Sequence, residues 1–236
     1  MYYFDNFHGK KILKSTLLQD VDCFFTTRNF VLTPSCRDDL IGESERNRKF
    51  LENKLGCKIT TCKQTHSDNI AFLEPEKNFY DNTDAIITNK VNTLILLNFA
   101  DCVPIILYSK KYQTGAVVHA GWRGTVAEIV KKTVQKMNID TKTITALIGP
   151  AIGKCCFETD EDVFKQLVKD EKTNTYTKKN DKYFIDLKQI NYNQLADAGV
   201  ENIDICSYCT CCMSDIFFSY RKEKGITARH SAILKI

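Results

Sequence analysis

Two apolar runs most constrain how this chain can fold. Leu94-Ile95-Leu96-Leu97-Asn98-Phe99 and Thr114-Gly115-Ala116-Val117-Val118 are each too short for a typical helix. Turn-forming residues bound them, so both read as short buried strands. Each run also leads directly into a soft metal ligand, Cys102 in Ala100-Asp101-Cys102-Val103-Pro104 and His119 in His119-Ala120-Gly121-Trp122-Arg123-Gly124. Strand ends beside glycines are places where the backbone turns and a ligand can approach closely.

The rest of the chain alternates between strand and helix patterns. Further strands are expected at Val21–Thr27, Lys58–Gln64, Ile70–Leu73, Ala85–Thr88, Ile105–Tyr108, Ile144–Ile148, Tyr183–Leu187, Ile203–Cys206 and Ser231–Ile236. Helices are expected at Glu43–Leu55, Thr125–Met137, Asp160–Val168 and Lys188–Ala198, with Gly56 and Gly199 as stops. No linker, repeat or low-complexity segment interrupts the pattern, and the polar stretch from Glu171 to Asp181 reads as a mobile loop. The expectation is one mixed α/β domain over residues 1–236, with helices packed on sheets.

A third candidate ligand, His66, lies in Lys63-Gln64-Thr65-His66. His66, Cys102 and His119 make an N₂S set that can hold zinc with its fourth position open. Three protein ligands plus a water is the catalytic pattern, whereas structural zinc is normally closed by four. After His119, Thr125 can cap a helix whose apolar stripe is Val126, Ile129, Val130, Val134 and Met137. The start of such a helix, with the fork-shaped cation of Arg123 beside it, favours an anion such as phosphate. Each residue also has a structural reading. Either histidine can be a satisfied core residue, Cys102 a small hydrophobe, Trp122 packing and Arg123 a surface ion-pair partner. Asp101 reads equally as a turn cap, an acceptor behind the ligands or a substrate contact.

These residues carry a resemblance to the YfiH-type laccase-domain family, whose members are described as polyphenol oxidases and as purine nucleoside phosphorylases. The matching segments run in order from Phe25-Thr26-Thr27-Arg28 to the C-terminus. They include Gln64-Thr65-His66, Thr83-Asp84-Ala85-Ile86-Ile87-Thr88, Ala100–Pro104, His119–Gly124, Ile148–Glu158, Asp186-Leu187, Cys209-Thr210 and Phe217-Phe218-Ser219-Tyr220-Arg221. The resemblance implies a layered α+β fold with mixed β-sheets packed by helices, and a metal, usually taken as zinc, on His66, Cys102 and His119. It also implies Arg28 as a substrate contact. The chain departs from the family pattern in three places. No glycine follows Arg28 until Gly42, Ser67 replaces a common glycine, and Ala228 stands in Thr227-Ala228-Arg229 where glycine is usual. Alanine cannot take positive φ as cheaply as glycine.

Composition narrows the class. The 33 basic and 29 acidic residues leave a net charge of +4, too mild to argue for nucleic acid or a membrane surface. Lysines gather between Lys169 and Lys182, read as a solvated loop. The start, Met1-Tyr2-Tyr3-Phe4-Asp5-Asn6, does not have the pattern of a signal peptide, and no apolar run approaches a membrane span of ~20 residues. A cytoplasmic protein is expected. Eleven cysteines cannot all pair internally, and reduced thiols are the expectation in that compartment. Cys206 and Cys209 have CxxC spacing within Cys206–Cys212, but no matching pair stands opposite. Adjacent Cys155 and Cys156 rarely face one ion, so buried small side chains are the preferred reading.

Three functions from different classes follow. The first, implied by the resemblance, is a zinc-dependent purine nucleoside phosphorylase with purine nucleoside and phosphate as partners and Arg123 on the phosphate. The same open site can serve adenosine deamination. The second is a copper-dependent polyphenol oxidase. Copper outcompetes zinc at most N/S sites, yet four histidines in the whole chain are few for multicopper oxygen reduction. The third is a metal-free hydrolase with Cys102 as nucleophile and His119 as base, including an amidase editing cell-wall precursors. That reading leaves His66 without a role.

Overall fold

The computed structural model describes residues 1–168 and 174–236. Its frame is two large sheets packed face to face. The first has seven strands, in the order β1 (Tyr2–Phe7), β2 (Lys10–Ser15), β3 (Asp22–Thr26), β16 (His230–Lys235), β8 (Leu94–Phe99), β4 (Ile59–Cys62) and β6 (Phe79–Tyr80). The second has six: β15 (Asn202–Ile205), β11 (Thr145–Ile148), β9 (Val103–Ser109), β10 (Thr114–Ala120), β7 (Ala85–Thr88) and β5 (Ile70–Phe72). Both are mixed. The β4–β8, β4–β6, β5–β7 and β11–β15 pairs are parallel, and the others are antiparallel. A small antiparallel sheet, β12 (Glu158–Thr159), β14 (Lys182–Ile185) and β13 (Tyr176–Lys179), lies apart.

The continuous apolar runs are explained by cover on both faces. Successive strand residues point to opposite sides, and β8 uses both. Leu94 and Leu96 pack with Phe30, Leu32, and Leu51 and Leu55 of α1 (Ile41–Leu55). Ile95, Leu97 and Phe99 enter the space between the sheets, against Ile106, Val117 and Leu147 of the second sheet. The outer face of that sheet, with Ile105, Leu107, Ala116 and Val118, meets Ile129, Val130, Val134 and Met137 of a helix. Two further helices, α4 (Glu161–Leu167) and α5 (Leu187–Asp197), complete that layer. Each fully buried Leu or Ile contributes about 1.5–3 kcal/mol over leaving it exposed. The result is a layered α+β arrangement of helix, sheet, sheet and helices, as expected from the sequence.

Three expectations need correction. The helix after His119 is not continuous from Thr125 to Met137. It begins at Trp122, after Gly121, as α2 (Trp122–Val126), and resumes as α3 (Ile129–Met137). Between them Glu128 adopts φ 58°. The cause is α5: Gln194 donates to the Thr125 carbonyl at 2.8 Å and Asn191 donates to its hydroxyl at 3.0 Å. In an unbroken helix that carbonyl would accept from residue 129. Thr125 is therefore a buried tie between helices and no cap. Second, part of the polar stretch Glu171–Asp181 is ordered as β13, joined to β14 by Asn180 and Asp181, both at positive φ (48° and 57°). That geometry suits a two-residue hairpin. Residues 169–173, including the start of the Lys169–Lys182 cluster, lie outside the described residues. Third, no strand is expected from the sequence before Val21, whereas β1 and β2 form an antiparallel N-terminal hairpin. Among the described residues, no helix is long and apolar enough to cross a membrane.

A candidate metal centre at the sheet crossover

Cys102 sits where the chain passes from β8 in the first sheet to β9 in the second, and His119 lies one residue before the end of β10. His66 comes from the loop after β4. The crossover brings one ligand atom from each to within 4.8 Å of the others. The three residues that the sequence proposed as ligands therefore converge.

Asp84, immediately before β7, organises the centre. Its Oδ1 lies 2.8 Å from His119 Nδ1 and accepts from the His66 backbone N–H at 3.1 Å. Its Oδ2 accepts from the Ser67 N–H at 2.8 Å and hydroxyl at 2.7 Å, and from the Thr65 N–H at 3.2 Å. The His119 N–H in turn donates to the Asp84 carbonyl at 2.7 Å. One carboxylate thus orients one imidazole directly and folds the loop that presents the other. That loop holds His66 at φ 61°, a left-handed conformation costing on the order of 1–3 kcal/mol, which the Asp84 bonds offset. With Nδ1 of His119 engaged, Nε2 is the atom left for a ligand.

The electrostatics match a coupled thiolate and imidazolium. Burial raises the Cys102 thiol, but His119 and His66 outweigh it and bring the group down to about 6. Burial pushes His119 down, while Cys102 and Asp84 more than compensate and raise it to about 9. Asp84 also resists ionisation through burial, yet its bonds with His119 and Ser67 hold it well below the usual carboxylate range. Such a set fits a thiophilic cation, which would bind Cys102 as its thiolate and stand where the free nitrogen of His119 would otherwise carry a proton. Gly121 makes the close approach possible, because a Cβ there would meet His66 Cδ2 at 2.9 Å and Cys102 Sγ at 3.1 Å.

The centre opens into a cleft of about 670 Å³, within the size range of small-molecule sites. Around it stand Lys63, Gln64, Phe157, Tyr220, Arg221 and Arg229. Gln64 is occupied, donating to the Asn98 carbonyl at 2.7 Å and accepting from its N–H at 2.9 Å. Arg221 donates to the carbonyls of Cys156 and Glu158, and Arg229 to those of Thr227 and Ala228. Neither guanidinium has an ion-pair partner among the described residues. Both line the cleft, as does the Asp101 carboxylate.

Other sequence candidates lie elsewhere. Arg123 is exposed, stacks on Trp122 with its guanidinium carbon 4.2 Å from the ring centre, and does not line the cleft. The short α2 that it belongs to also removes the long helix start on which the phosphate argument rested. Arg28 is a structural clamp. It pairs with Glu223 at 2.5 Å, donates to the Ser214 and Phe217 carbonyls and lies over the Phe218 ring. Asp101, at φ 82°, accepts from the Thr210 hydroxyl and the Arg221 N–H, both at 2.7 Å, and so ties the cleft wall together. Of the two remaining histidines, His230 is fully buried and held down to about 3 by that burial, and His8 sits in the β1–β2 turn. Only two imidazoles line the cleft. The cysteine expectation also changes, because Cys155 and Cys212 are exposed and converge with Cys156 and Cys209.

Sequence reasoning gave no role to Asp84, Arg221 or Arg229. The visible signal for Asp84 was a charged residue placed directly before the apolar strand Ala85–Thr88.

Known proteins share this architecture. Over 98–99% of both chains, the structure superposes on the hypothetical protein YfiH of Bacillus licheniformis with a TM-score of 0.87 and 26% identity. On YlmD of Geobacillus stearothermophilus the TM-score is 0.88, also at 26% identity, over 98% of both chains. Purine nucleoside phosphorylase SAR1163 of Staphylococcus aureus (strain MRSA252) is 40% identical over 156 residues, 64% of this chain and 59% of that protein. Purine nucleoside phosphorylase SSP1584 of Staphylococcus saprophyticus is 39% identical over the same shares. The matched part thus spans under two thirds of the length of these curated relatives. The family described as multi-copper polyphenol oxidoreductase laccase matches residues 25–236. With the fold, the crossover centre and this match together, the chain belongs to the laccase-domain family.

Proposed function

We propose that the chain, acting as one catalytic domain, is a zinc-dependent purine nucleoside phosphorylase that also deaminates adenosine. The observation carrying this reading is the open His66–Cys102–His119 cluster on a cleft of about 670 Å³ lined by both aromatic side chains and unpaired arginines. The name of the Staphylococcus relatives supports the same substrate class. His66, Cys102 and His119 would hold the ion, which supplies Lewis acidity at the cleft when bound.

The protein's own residues account for the remaining needs. Phosphorolysis forms a bond from a phosphate oxygen to the sugar carbon as the glycosidic bond breaks, and the bonding electrons leave with the purine. Arg221 and Arg229 meet the phosphate charge with N–H donors not used on backbone carbonyls. Phe157 and Tyr220 line the cleft and would supply aromatic contact to a purine. Asp84 fixes the orientation of His119 and the loop of His66.

One observation favours a second reading, a metal-free cysteine hydrolase. The depressed Cys102 thiol beside a raised His119 is the electrostatic signature of an activated nucleophile. A single experiment separates the two. Inosine and adenosine are incubated with and without phosphate, before and after exhaustive chelation. The proposal expects free base and ribose 1-phosphate with phosphate present, inosine from adenosine without it, and loss of both on chelation with recovery on adding zinc. Turnover that survives chelation but ends on alkylation of Cys102 would instead establish the hydrolase.

A further inference from the structure

We infer that Cys155, Cys156, Cys209 and Cys212 form a second, closed zinc site that fastens one wall of the cleft. Their four Sγ atoms all lie within 4.8 Å of one another. Cys212 Sγ is 3.5 Å from that of Cys155 and 3.4 Å from that of Cys156. Four sulfurs at Zn–S distances of about 2.3 Å stand about 3.8 Å apart along each tetrahedron edge. The thiols are already gathered at nearly that separation.

The backbone explains how adjacent cysteines can share one centre. The chain turns tightly at Gly153, whose carbonyl accepts from the N–H groups of both Cys156 (2.9 Å) and Phe157 (3.0 Å). On the facing segment, Met213 N–H donates to the Cys209 carbonyl at 2.9 Å, closing a helical turn. Cys209 and Cys212, three apart on that turn, therefore project from one face. This is the CxxC pair that matters, in place of Cys206 and Cys209. The two segments are held side by side by a bridge from Ala151 to Cys209 and by the Thr210 N–H donating to the Ala151 carbonyl at 3.0 Å. Gly153 N–H points at Cys209 Sγ from 3.1 Å, the kind of hydrogen bond that supports a coordinated thiolate. A Cβ at Gly153 would sit 3.2 Å from Cys155 Sγ and from Cys209 Cβ, so the missing side chain makes the room.

Other uses of four thiols fit less well. A disulfide needs two sulfurs at about 2.0 Å, whereas Cys212 Sγ stands 3.4 Å from that of Cys156 and 3.5 Å from that of Cys155, and all four cysteines are free thiols. A multinuclear iron–sulfur cluster spreads its four cysteines over two or four irons, which sets some of the sulfurs farther apart than the 4.8 Å that bounds this group. Four thiolates and no open position match the structural class of zinc site.

The site bears on the cleft through its neighbours. Ile152 and Phe157 flank the Gly153 turn, and Tyr220 and Arg221 follow the Cys209–Cys212 turn; all four line the cleft. Arg221 also donates to the carbonyl of Cys156 itself at 3.0 Å. An ion here would fix the position of the arginine proposed for phosphate.

The test uses the full chain purified under reducing conditions, with metal analysis after zinc loading and desalting. The expected content is about two zinc ions per wild-type chain and about one in a His66→Ala/Cys102→Ala chain, where the cleft centre is disabled. Adding Cys212→Ser to that double variant should remove the remaining ion, and cobalt in the double variant should show the intense thiolate-to-metal absorption of a four-sulfur site. A double variant that is folded by circular dichroism yet retains no zinc overturns the inference. So does a wild-type chain in which Cys155 or Cys156 is found disulfide-bonded to Cys212, or a site that takes only iron or copper.

Discussion

The Oδ1 atom of Asp84 lies 2.8 Å from Nδ1 of His119 while also accepting the backbone N–H of His66. A single buried oxygen thereby sets the orientation of two candidate ligands, one near the end of β10 and the other in the loop after β4. Replacing it tests whether the centre is held from behind. Asp84→Asn keeps the size but removes the charge and one acceptor position, so some of the N–H groups of Thr65, His66 and Ser67 lose their partner. Zinc affinity should fall roughly 10–100-fold, with a stability loss of roughly 1–3 kcal/mol. Competition with a chromophoric chelator and chemical denaturation measure the two; unchanged affinity would remove Asp84 from the account.

In the metal-free protein, the Cys102–His119 pair should leave its mark on stability against pH. Cys102 is lowered to about 6 from an ordinary thiol value of 9.0, so its contribution is complete above 9 and fades as pH falls through 6. His119 is raised to about 9 from 6.5, so its contribution is complete below 6.5 and fades as pH rises through 9. Between 6.5 and 9 the Cys102 contribution grows while the His119 contribution declines, so the two changes nearly cancel. The melting temperature of the apo protein should therefore stay nearly level across that window, and Cys102→Ala, left with only the declining His119 contribution, should tilt it downward as pH rises. An equally level profile in Cys102→Ala would show that the pair does not govern it.

The layers and the ligand triad were legible because each rests on local pattern. Ala85–Thr88 and Leu94–Phe99 are apolar runs whose boundaries coincide with the observed strands; Cys102 follows the second of them, and His119 follows the run Thr114–Val118. What local pattern could not carry was competition between distant groups. The helix break at Glu128 depends on Gln194, 69 positions from the Thr125 carbonyl it captures. Arg28 reads as a substrate contact from the resemblance, but Glu223 and two backbone carbonyls, far along the chain, engage its Nη2 and Nε. The four converging thiols were hidden for the same reason, since 53 or more positions separate the two segments, as 209 minus 156 gives.

Gly121 offers a test of close approach at the centre. Its added Cβ in Gly121→Ala would press on His66 Cδ2 at 2.9 Å and Cys102 Sγ at 3.1 Å. Its φ of −70° suits alanine, so the backbone itself is not strained. The substitution should therefore weaken zinc binding while costing under about 2 kcal/mol in stability, within the range for ordinary overpacking. Equilibrium dialysis and thermal denaturation give the two readings. Full zinc affinity in a stable Gly121→Ala protein would mean that the ligands have more freedom than their spacing implies.

The placement of the arginines bears on where the proposed phosphate would bind. Arg221 and Arg229 line the cleft with their charge unpaired among the described residues, whereas Arg123 stacks on Trp122 outside it and Arg28 is committed to Glu223. A charge-assisted hydrogen bond is worth about 1.5–3 kcal/mol, so losing one should raise the KM for phosphate roughly tenfold or more. Arg229→Ala and Arg221→Ala should each do so with the cleft metal retained. Arg221→Lys should recover little, because an ammonium cannot reproduce the planar fork. Arg123→Lys should leave phosphate dependence nearly unchanged, and Arg28→Ala should lower stability through the orphaned Glu223 before it touches kinetics. Steady-state phosphorolysis of inosine over a range of phosphate concentrations measures the four variants of Arg221, Arg229 and Arg123, and chemical denaturation measures Arg28→Ala. A large phosphate effect in Arg123→Lys, with none in the two cleft variants, would move the anion site to the outer face of α2 and overturn the placement argued here.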